Sequence, residues 1–283
     1  MTADRSRWFV STEWLAAHLY DPGIIVVDGS WHLPGTRDGR KEYDAGHIPG
    51  AVFFDIDQIA DTAIPLPHML PSPQHFAAAV GALGIDETQK IVVYDSVGLG
   101  SAPRVWWTFK VMGAHDVVIL DGGLPRWVAE GRPVDALPVK RAPRIFHPTP
   151  HPSPVRDLAA VRANLETASF QLVDARPRAR FLGEAPEPRS WVKSGRVPGS
   201  LSVPSAELIE AGTLKDAVAL RAAFVAAGVD LGAPVVTSCG SGVNAATLTL
   251  ALDTLGVPSA IWDGSWTEWG ARDDLPIKKG LER

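Results

Sequence analysis

The sequence predicts an α/β protein of two tandem domains, each a mainly parallel sheet flanked by helices. Three observations predict it. Short apolar strands alternate with helical stretches along the chain, the pattern of the first half returns in the second, and a proline-rich segment separates the halves. Strand–helix alternation is typical of parallel sheets, because each crossover must carry the chain back to the same edge. The length of 283 residues is enough for about two such domains.

Four strands are predicted in each half by short runs rich in Val, Ile and other apolar residues. They are GIIVVD, AVFFD, IVVYD and VVIL in the first half, and FQLVDA, SLSVP, PVVTSC and SAIWD in the second. Amphipathic helical stretches that end at glycine lie between several of them. Each half therefore contains enough strands for a sheet of its own.

The two halves are a duplication. Residues 76–95 align without a gap with residues 220–239, at an offset of 144, and both segments run from a helix through a Gly stop into a buried strand. Other matched segments keep the same order along the chain. A repeat of this length indicates a duplicated domain, since solenoid units are only about 20–50 residues long.

A proline-rich segment divides the duplicated halves. Residues 138–154 hold six prolines and no periodic apolar pattern, so they cannot continue a helix or a central strand. We predict a first domain over residues 1–140, a semi-rigid linker over 141–152, and a second domain over 153–283.

Composition excludes several classes of protein. With 27 basic and 32 acidic residues the formal charge is −5, which disfavours a nucleic-acid-binding protein. The single cysteine permits neither an internal disulfide nor a thiolate zinc site. No apolar run is long enough to span a membrane, and the N-terminus lacks the apolar region of a signal peptide. We expect a cytoplasmic protein that binds no nucleic acid, membrane, metal or cofactor.

The lone Cys239 follows a predicted buried strand and precedes a predicted helix, in the run Cys-Gly-Ser-Gly-Val-Asn. Glycines allow successive backbone N–H groups to surround one anion, and a helix N-terminus adds partial positive charge. Such a loop stabilises a thiolate and so predicts a nucleophile. The alternative, a buried cysteine that acts as a small apolar residue, does not explain this context.

Two further comparisons restrict the chemistry of the loop. Cysteine phosphatases use Cys-x5-Arg, in which the Arg holds the phosphate, but Ala245 stands at that position and the loop contains no basic residue. Asp95 occupies the position of Cys239 in the first half. Because a carboxylate cannot form a persulfide, we predict that only the second domain is catalytic.

The chain resembles a known family, the tandem-domain rhodanese-like sulfurtransferases, over nearly its whole length. The most specific segments are residues 47–57 (HIPGAVFFDID), 101–107 (SAPRVWW), 180–189 (RFLGEAPEPR) and 239–243 (CGSGV). Members of the family that use thiosulfate have basic residues after the cysteine. The loop of this chain is similar to that of the members that use mercaptopyruvate.

The resemblance implies a two-step reaction without a cofactor. Cys239 would take sulfur from a small-molecule donor, 3-mercaptopyruvate, with release of pyruvate, and the persulfide would pass to a thiol (a thioredoxin-like protein or a small thiol) or to cyanide. The substrate-binding residues implied are Arg180, Arg189, Gly240, Gly242, Val243 and Asn244. A guanidinium suits a planar carboxylate, although two arginines beside glutamates are also typical of surface ion pairs.

The family also pairs the serine of the loop with a histidine and an aspartate from the first domain. Ser241 is that serine here, and the resemblance implies His47 and Asp38 as its partners in a catalytic relay. The alternative for His47 is a structural role in its turn. Asn244 stands where the family usually has Thr, which leaves the substrate preference open.

Two alternatives to sulfur transfer from mercaptopyruvate remain open. Thiosulfate sulfurtransferase is disfavoured because the loop lacks basic side chains for a sulfur dianion. A non-catalytic rhodanese-type binding module is disfavoured by the presence of Cys239 itself. The sequence does not indicate the physiological acceptor or the oligomeric state.

Overall fold

The computed structural model describes residues 5–151 and 154–280. Its Cα positions divide these residues into two compact units. Unit 1 contains residues 5–63, 70–151 and 211–214, and unit 2 contains 64–69, 154–210 and 215–280. We predicted two contiguous domains, whereas each unit also contains a short segment from the other half of the chain.

Unit 1 contains a five-stranded parallel sheet with the order β1-β5-β4-β2-β3. Its strands are β1 (Phe9–Val10), β2 (Ile24–Asp28), β3 (Val52–Phe53), β4 (Lys90–Tyr94) and β5 (Val117–Leu120). Its helices are α1 (Thr12–His18), α2 (Gly39–Ala45), α3 (Ile56–Ile59), α4 (Pro73–Ala82), α5 (Ala102–Val111) and α6 (Gly123–Ala129). Every residue of β2 is buried, as expected for a parallel sheet that is covered on both faces.

Unit 2 contains a second five-stranded parallel sheet, with the order β6-β12-β11-β7-β8. Its elements are β6 (Val155–Arg156), α7 (Leu158–Thr167), β7 (Gln171–Asp174), α8 (Arg178–Phe181), β8 (Leu201–Ser202), a 3-10 turn (Ser205–Leu208), β9 (Ile209–Glu210), α9 (Ala217–Ala226), β11 (Val235–Ser238), α10 (Ala245–Thr254), β12 (Ser259–Trp262) and α11 (Ser265–Gly270). The short strand β10 (Thr213–Leu214) is assigned to unit 1.

The two sheets have the same strand order, so the duplication predicted from the sequence is present in the fold. All eight predicted strands are found, in the predicted order along the chain. The structure adds four strands of two residues each: β1 and β6, one at the edge of each five-stranded sheet, and β9 and β10 outside those sheets. Sequence periodicity did not detect them because two residues are too few to show alternation.

Tryptophans anchor the core of each unit. Trp127 is completely buried in unit 1, and Trp262, Trp266 and Trp269 are buried in unit 2. Each buried indole N–H needs an acceptor, and that of Trp269 donates to the carbonyl of Pro276 over 2.9 Å. These side chains support packing, as expected for a large apolar ring with one polar atom.

The proline-rich segment is extended and packs on unit 1 through residue 151. Arg144 donates its backbone N–H to Gly81, and His151 donates to Val111. Phe146 is 3% exposed and contacts Phe76, at 5.3 Å between ring centroids. Over residues 138–151 the segment forms neither helix nor strand, as predicted. Over residues 144–151, however, it is a packed part of unit 1 rather than a spacer.

Among residues 5–151 and 154–280, no helix combines the length and apolar character that crossing a bilayer requires. Within the same ranges, no cluster of three or more His, Cys, Asp or Glu side chains is arranged to hold a metal ion.

Candidate active site

The predicted nucleophile lies at the carboxyl end of a central strand of unit 2. β11 ends at Ser238 and α10 begins at Ala245, so residues 239–244, the Cys239 loop, connect the two. Cys239 is 4% exposed. Gly242 has a φ of +82°, a conformation that glycine adopts without strain and that allows the loop to curl into the helix.

The first two residues of the loop are held by the start of α11. The backbone N–H of Cys239 donates to Ser265 Oγ over 3.1 Å, and its carbonyl accepts from the N–H of Trp266 over 3.0 Å. The carbonyl of Gly240 accepts from both the N–H and the Oγ1 of Thr267, over 2.8 and 2.6 Å. These bonds fix the backbone on which the sulfur atom is carried.

The backbone N–H groups that follow the cysteine have no acceptor. In the described parts of the chain, no oxygen accepts the N–H of any residue from Gly240 to Asn244. These groups precede the N-terminus of the ten-residue helix α10, which adds partial positive charge. Unpaired N–H groups at a helix start form a site for an anion.

The equivalent loop of unit 1 shows where such N–H groups point. Asp95 directly follows β4, and its carboxylate accepts five backbone N–H bonds of 2.7–2.9 Å, from Val97, Gly98, Gly100, Ser101 and Ala102. Three of the donors correspond, at the offset of 144, to Ser241, Gly242 and Asn244. In unit 1, therefore, the loop directs its N–H groups to the side chain of its first residue.

Arg180, a predicted substrate-binding residue, lies against the Cys239 loop. A Cβ atom added at Gly240 would lie 3.1 Å from the Nη2 of Arg180. The guanidinium also donates to Glu187 from both Nε and Nη2. A side chain at Gly240 would therefore require the guanidinium to shift by a few tenths of an ångström.

A buried ion-pair network holds Glu187 in place. Arg176 donates to Glu187 over 2.7 Å and to Asp174 at the end of β7, also over 2.7 Å at closest approach. Burial alone would lower the pKa of Arg176, but the two carboxylates raise it above its ordinary value. The guanidinium carbon also lies 4.6 Å from the ring centroid of Trp266. Two arginines therefore share one carboxylate, and the second of them, Arg180, reaches the loop.

Ser241 is paired with a histidine that the sequence analysis did not select. The Nδ1 of His68 lies 2.9 Å from Ser241 Oγ and 3.2 Å from the carbonyl of Ser241. Both side chains are buried, and His68 belongs to the short segment 64–69 that is part of unit 2. Nδ1 can accept the serine proton, or in the other tautomer can donate to both oxygens.

His47 and Asp38, the predicted partners of Ser241, are in unit 1 at opposite ends of α2. Asp38 is the N-cap of the helix and accepts from the N–H of Lys41. The Nδ1 of His47 is bonded to the carbonyl of Tyr43 over 2.8 Å, and its ring stacks on that of Tyr43. The histidine at hydrogen-bond distance from Ser241 is His68, and the pairing of Ser241 with His47 and Asp38 stays a prediction.

The remaining predicted residues lie on the same two segments as those already described. Val243 is buried, and Asn244 is half-buried at the N-cap position of α10 without a side-chain cap bond. Arg189 is half-buried two residues after Glu187, and its carbonyl accepts from the N–H of Val192. The predicted residues of unit 2 thus fall on the Cys239 loop and on the segment 180–189.

Sequence reasoning missed several residues that shape the site. His68 had only a weak signal, a titratable side chain between Pro67 and Met69 in a segment with no helix or strand periodicity. Ser265 and Thr267 had none, since they lie in a stretch that indicates only a turn. Their hydrogen bonds depend on how β11 and β12 pair, which local patterns do not specify.

Comparison with known proteins gives the family. The model of the rhodanese-like domain matches residues 11–130 and again 157–272. The 3-mercaptopyruvate sulfurtransferase of Escherichia coli (strain K12) is 43% identical over 276 residues, which cover 96% of this chain and 98% of that protein. The thiosulfate sulfurtransferase of Bos taurus is 46% identical over 272 residues, which cover 93% and 92%.

A solved structure gives the same result. The crystal structure of SseA from Escherichia coli, a 3-mercaptopyruvate sulfotransferase with the rhodanese fold, superposes with a TM-score of 0.85 at 42% identity, covering 92% of this chain and 98% of that one. The predictions of tandem rhodanese-like domains and of a sulfurtransferase relationship are confirmed. With two matched domains and relatives above 40% identity over nearly its full length, this chain belongs to the family of rhodanese-like sulfurtransferases.

Proposed function

We propose that this protein transfers sulfur from 3-mercaptopyruvate through a persulfide on Cys239. The observation that carries the proposal is the Cys239 loop, in which five consecutive N–H groups lack an acceptor among the described residues beside the lone cysteine of the chain. In unit 1 the corresponding groups are occupied by Asp95. An open anion site at a thiol stabilises both the thiolate and the persulfide anion.

The first step is attack of the Cys239 thiolate on the sulfur of 3-mercaptopyruvate. A sulfur–sulfur bond forms while the carbon–sulfur bond of the substrate breaks, and the electron pair of that bond passes to the departing carbon as the enolate of pyruvate. A proton then converts the enolate into pyruvate. Backbone N–H groups that are fixed before the reaction stabilise the negative charge without reorganisation.

Arg180 is the residue proposed to bind the carboxylate of the substrate. Its guanidinium lies against Gly240 and is oriented by Glu187, which Arg176 holds in turn. An oriented guanidinium binds a carboxylate in a defined geometry. Arg189, on the same segment, is proposed as the second substrate-binding arginine, as the family resemblance implies.

Ser241 and His68 are proposed to handle the proton of the substrate thiol. The serine hydroxyl is two residues from the nucleophile, and the imidazole nitrogen lies 2.9 Å from it. A hydroxyl bonded to a neutral imidazole can pass a proton on. His47 and Asp38 were predicted for this role, and the local geometry favours His68 over them.

The second step requires an external acceptor. The chain contains a single cysteine, so no second thiol of the same chain can receive the sulfur. We propose a thiol, on a thioredoxin-like protein or a small molecule, as the acceptor, with cyanide as an alternative. The cytoplasmic location stays a prediction.

Thiosulfate is the second candidate donor, because a relative named thiosulfate sulfurtransferase is 46% identical to this chain. It ranks below mercaptopyruvate because residues 240–244 include no basic side chain. The dianion of thiosulfate needs more positive charge than a monocarboxylate does.

One experiment tests both donors. The protein is incubated separately with 3-mercaptopyruvate and with thiosulfate, the peptide that contains Cys239 is examined by mass spectrometry for one added sulfur atom, and pyruvate is measured in the first reaction. We expect a faster sulfur addition from mercaptopyruvate, with one pyruvate per added sulfur. Faster addition from thiosulfate would reverse the choice of donor, and no addition from either would contradict the proposed activity.

A further inference from the structure

Unit 1 contains a cleft of about 550 Å³ that the proposed reaction does not use. It lies beside α2 and β3, between the end of α4 and the segment 136–141, and we call it the α2 cleft. Its floor is formed by Tyr43, His47, Val52 and Phe53, all of which are buried. Leu83 and Leu137 contribute apolar walls. A concave site of this size with mainly apolar walls is typical of small-molecule binding.

The charges around the α2 cleft are unbalanced. Three cationic side chains line it, those of Arg40, Lys140 and Arg141, against one carboxylate, that of Asp44. Asp44 is already engaged by Arg40, at 3.0 Å. The structure gives Lys140 and Arg141 no carboxylate partner among the residues it describes. Two cations at the rim of an apolar cleft therefore lack a counter-ion.

Arg141 is held in position although it lacks an anionic partner. Its Nη2 donates to the carbonyl of Gly50 over 3.2 Å, and its Cβ would lie 2.7 Å from a Cβ at Gly84. Burial and the nearby charge of Arg144 lower the pKa of Arg141 from its ordinary value. An anion in the cleft would oppose both effects, because it would supply the charge that the surroundings do not.

The floor of the α2 cleft also contains an unsatisfied polar atom. The Nδ1 of His47 is bonded to Tyr43, while its Nε2 is buried without a hydrogen-bond partner in the described structure. A buried polar atom without a partner costs about 1–3 kcal/mol. In unit 2 the equivalent position holds Arg196, whose Nη1 donates to the carbonyl of Gly280 over 2.6 Å. The unsatisfied nitrogen is thus particular to unit 1.

We propose that the α2 cleft binds a small organic carboxylate with a flat apolar body, such as an arylcarboxylate. The carboxylate binds between Lys140 and Arg141, and the ring packs against Val52, Leu83 and Leu137. A neutral compound of the same shape lacks the ion pairs and binds more weakly. The proposal does not depend on the sulfur chemistry of unit 2.

The test uses 2-naphthoate as the probe and 2-naphthamide as its neutral counterpart, each titrated into the full-length protein by calorimetry. We expect a single naphthoate site, at least ~10-fold weaker binding of the amide, and a loss of ~10-fold or more in naphthoate affinity in the double variant Lys140→Gln with Arg141→Gln. Ala82→Phe, which adds a ring to the cleft wall, weakens binding as well. Arg162→Gln, an exposed arginine of unit 2, is the matched control and leaves the affinity unchanged.

Three results would overturn the proposal. Equal affinity for acid and amide would remove the role of the cations. Loss of naphthoate binding in Arg180→Gln, with no loss in the Lys140 and Arg141 variant, would assign the site to the Cys239 loop. Absence of any naphthoate binding at concentrations up to ~5 mM would leave the α2 cleft without a ligand of this class.

Discussion

The loop after β4 and the loop after β11 have the same place in the fold but opposite contents. In unit 1 the carboxylate of Asp95 accepts five N–H groups of its own loop. In unit 2 Cys239 occupies that position, and the N–H groups from Gly240 to Asn244 have no acceptor among the described residues. The same backbone is thus an internally satisfied structural loop in one domain and an open anion site in the other.

A second pair of residues differs in the same way. Asp174, at the end of β7, is bonded to Arg176, whereas Asp28, at the end of β2, has Ser30 at the position of that arginine. Burial raises the pKa of Asp28 from its ordinary value of 3.8 to about 6, although the hydrogen bonds from Ser30 lower it. Asp174 is thus paired with a cation, whereas burial raises the pKa of Asp28.

The largest effect is expected when Cys239 is replaced by aspartate, the residue that unit 1 has at the equivalent position, Asp95. Cys239→Asp removes the nucleophile and lowers sulfur transfer by at least ~10³-fold. Its carboxylate can accept the open N–H groups, so the free energy of unfolding is expected to exceed that of Cys239→Ala by about 1–3 kcal/mol. Sulfur addition by mass spectrometry and urea denaturation measure the two quantities. A Cys239→Asp protein less stable than Cys239→Ala would mean that the two loops do not share their N–H geometry.

The second change removes the carboxylate of Asp95 from the loop that follows β4. Asp95→Ala leaves five N–H groups without their acceptor, three of them buried, and is expected to lower the free energy of unfolding by about 3–4 kcal/mol. Urea denaturation measures the loss in the free energy of unfolding, and faster hydrogen exchange at Gly98 and Ser101 would show that the loss arises in this loop. Asp44→Ala, which removes an exposed ion pair with Arg40, serves as the control with a loss below ~1 kcal/mol. Equal losses in the two variants would show that the five bonds add little stability.

Asp28 is expected to make stability depend on pH. Because its pKa is about 6 in the folded protein and 3.8 ordinarily, the folded state binds more protons between these values. Its contribution is fully present below pH ~4 and is lost as pH rises through ~6, which amounts to about 3 kcal/mol. Asp28→Asn stays neutral, so it is more stable than the wild type by up to that amount at pH 7–8 and equal to it near pH 4.

Urea denaturation of both proteins from pH 4 to 8 measures this difference. Asp174→Asn provides the matched comparison in unit 2, where loss of the charge leaves the buried Arg176 with less compensation and destabilises the protein at pH 7. A stability difference between Asp28→Asn and the wild type that is constant over this pH range would show that the carboxyl does not titrate there.

The smallest effect concerns the proton path. Ser241→Ala and His68→Asn are each expected to reduce kcat with mercaptopyruvate by about 10-fold, and the double variant by little more than either, because the two groups act through one hydrogen bond. Steady-state pyruvate release measures kcat. His47→Asn and His147→Asn are the controls, and we expect both to retain full activity. A loss confined to His47→Asn would restore the relay that the family resemblance implied.

The fold was accessible from the sequence because its determinants are local or repeated. Runs such as IVVYD and PVVTSC specify buried strands, and the gap-free repeat that ends at Asp95 and Cys239 aligns the two loops in the sequence itself. Cys239 could be proposed as the nucleophile for the same reason, since the glycine-rich loop and the helix start are adjacent along the chain.

The partners of the loop were not accessible, because they come from distant positions. His68 is 173 residues from Ser241, and Ser265 is 26 residues from Cys239. The motif Gly-His-Ile-Pro-Gly favoured His47, but a histidine in such a motif can stabilise a turn instead of taking part in the reaction. Which histidine lies near a given serine depends on the path of the chain between secondary-structure elements, and no local pattern encodes that path.

Because the two units exchange short segments, neither half of the chain contains a complete unit. Residues 64–69, including His68, belong to unit 2, and residues 211–214 belong to unit 1. A fragment cut at the proline-rich segment would retain Cys239, Arg180 and Glu187 but would lose the histidine bonded to Ser241. Duplication supplied this protein with two sheets, but the segment exchange makes the half that contains Cys239 dependent on a residue encoded in the other half.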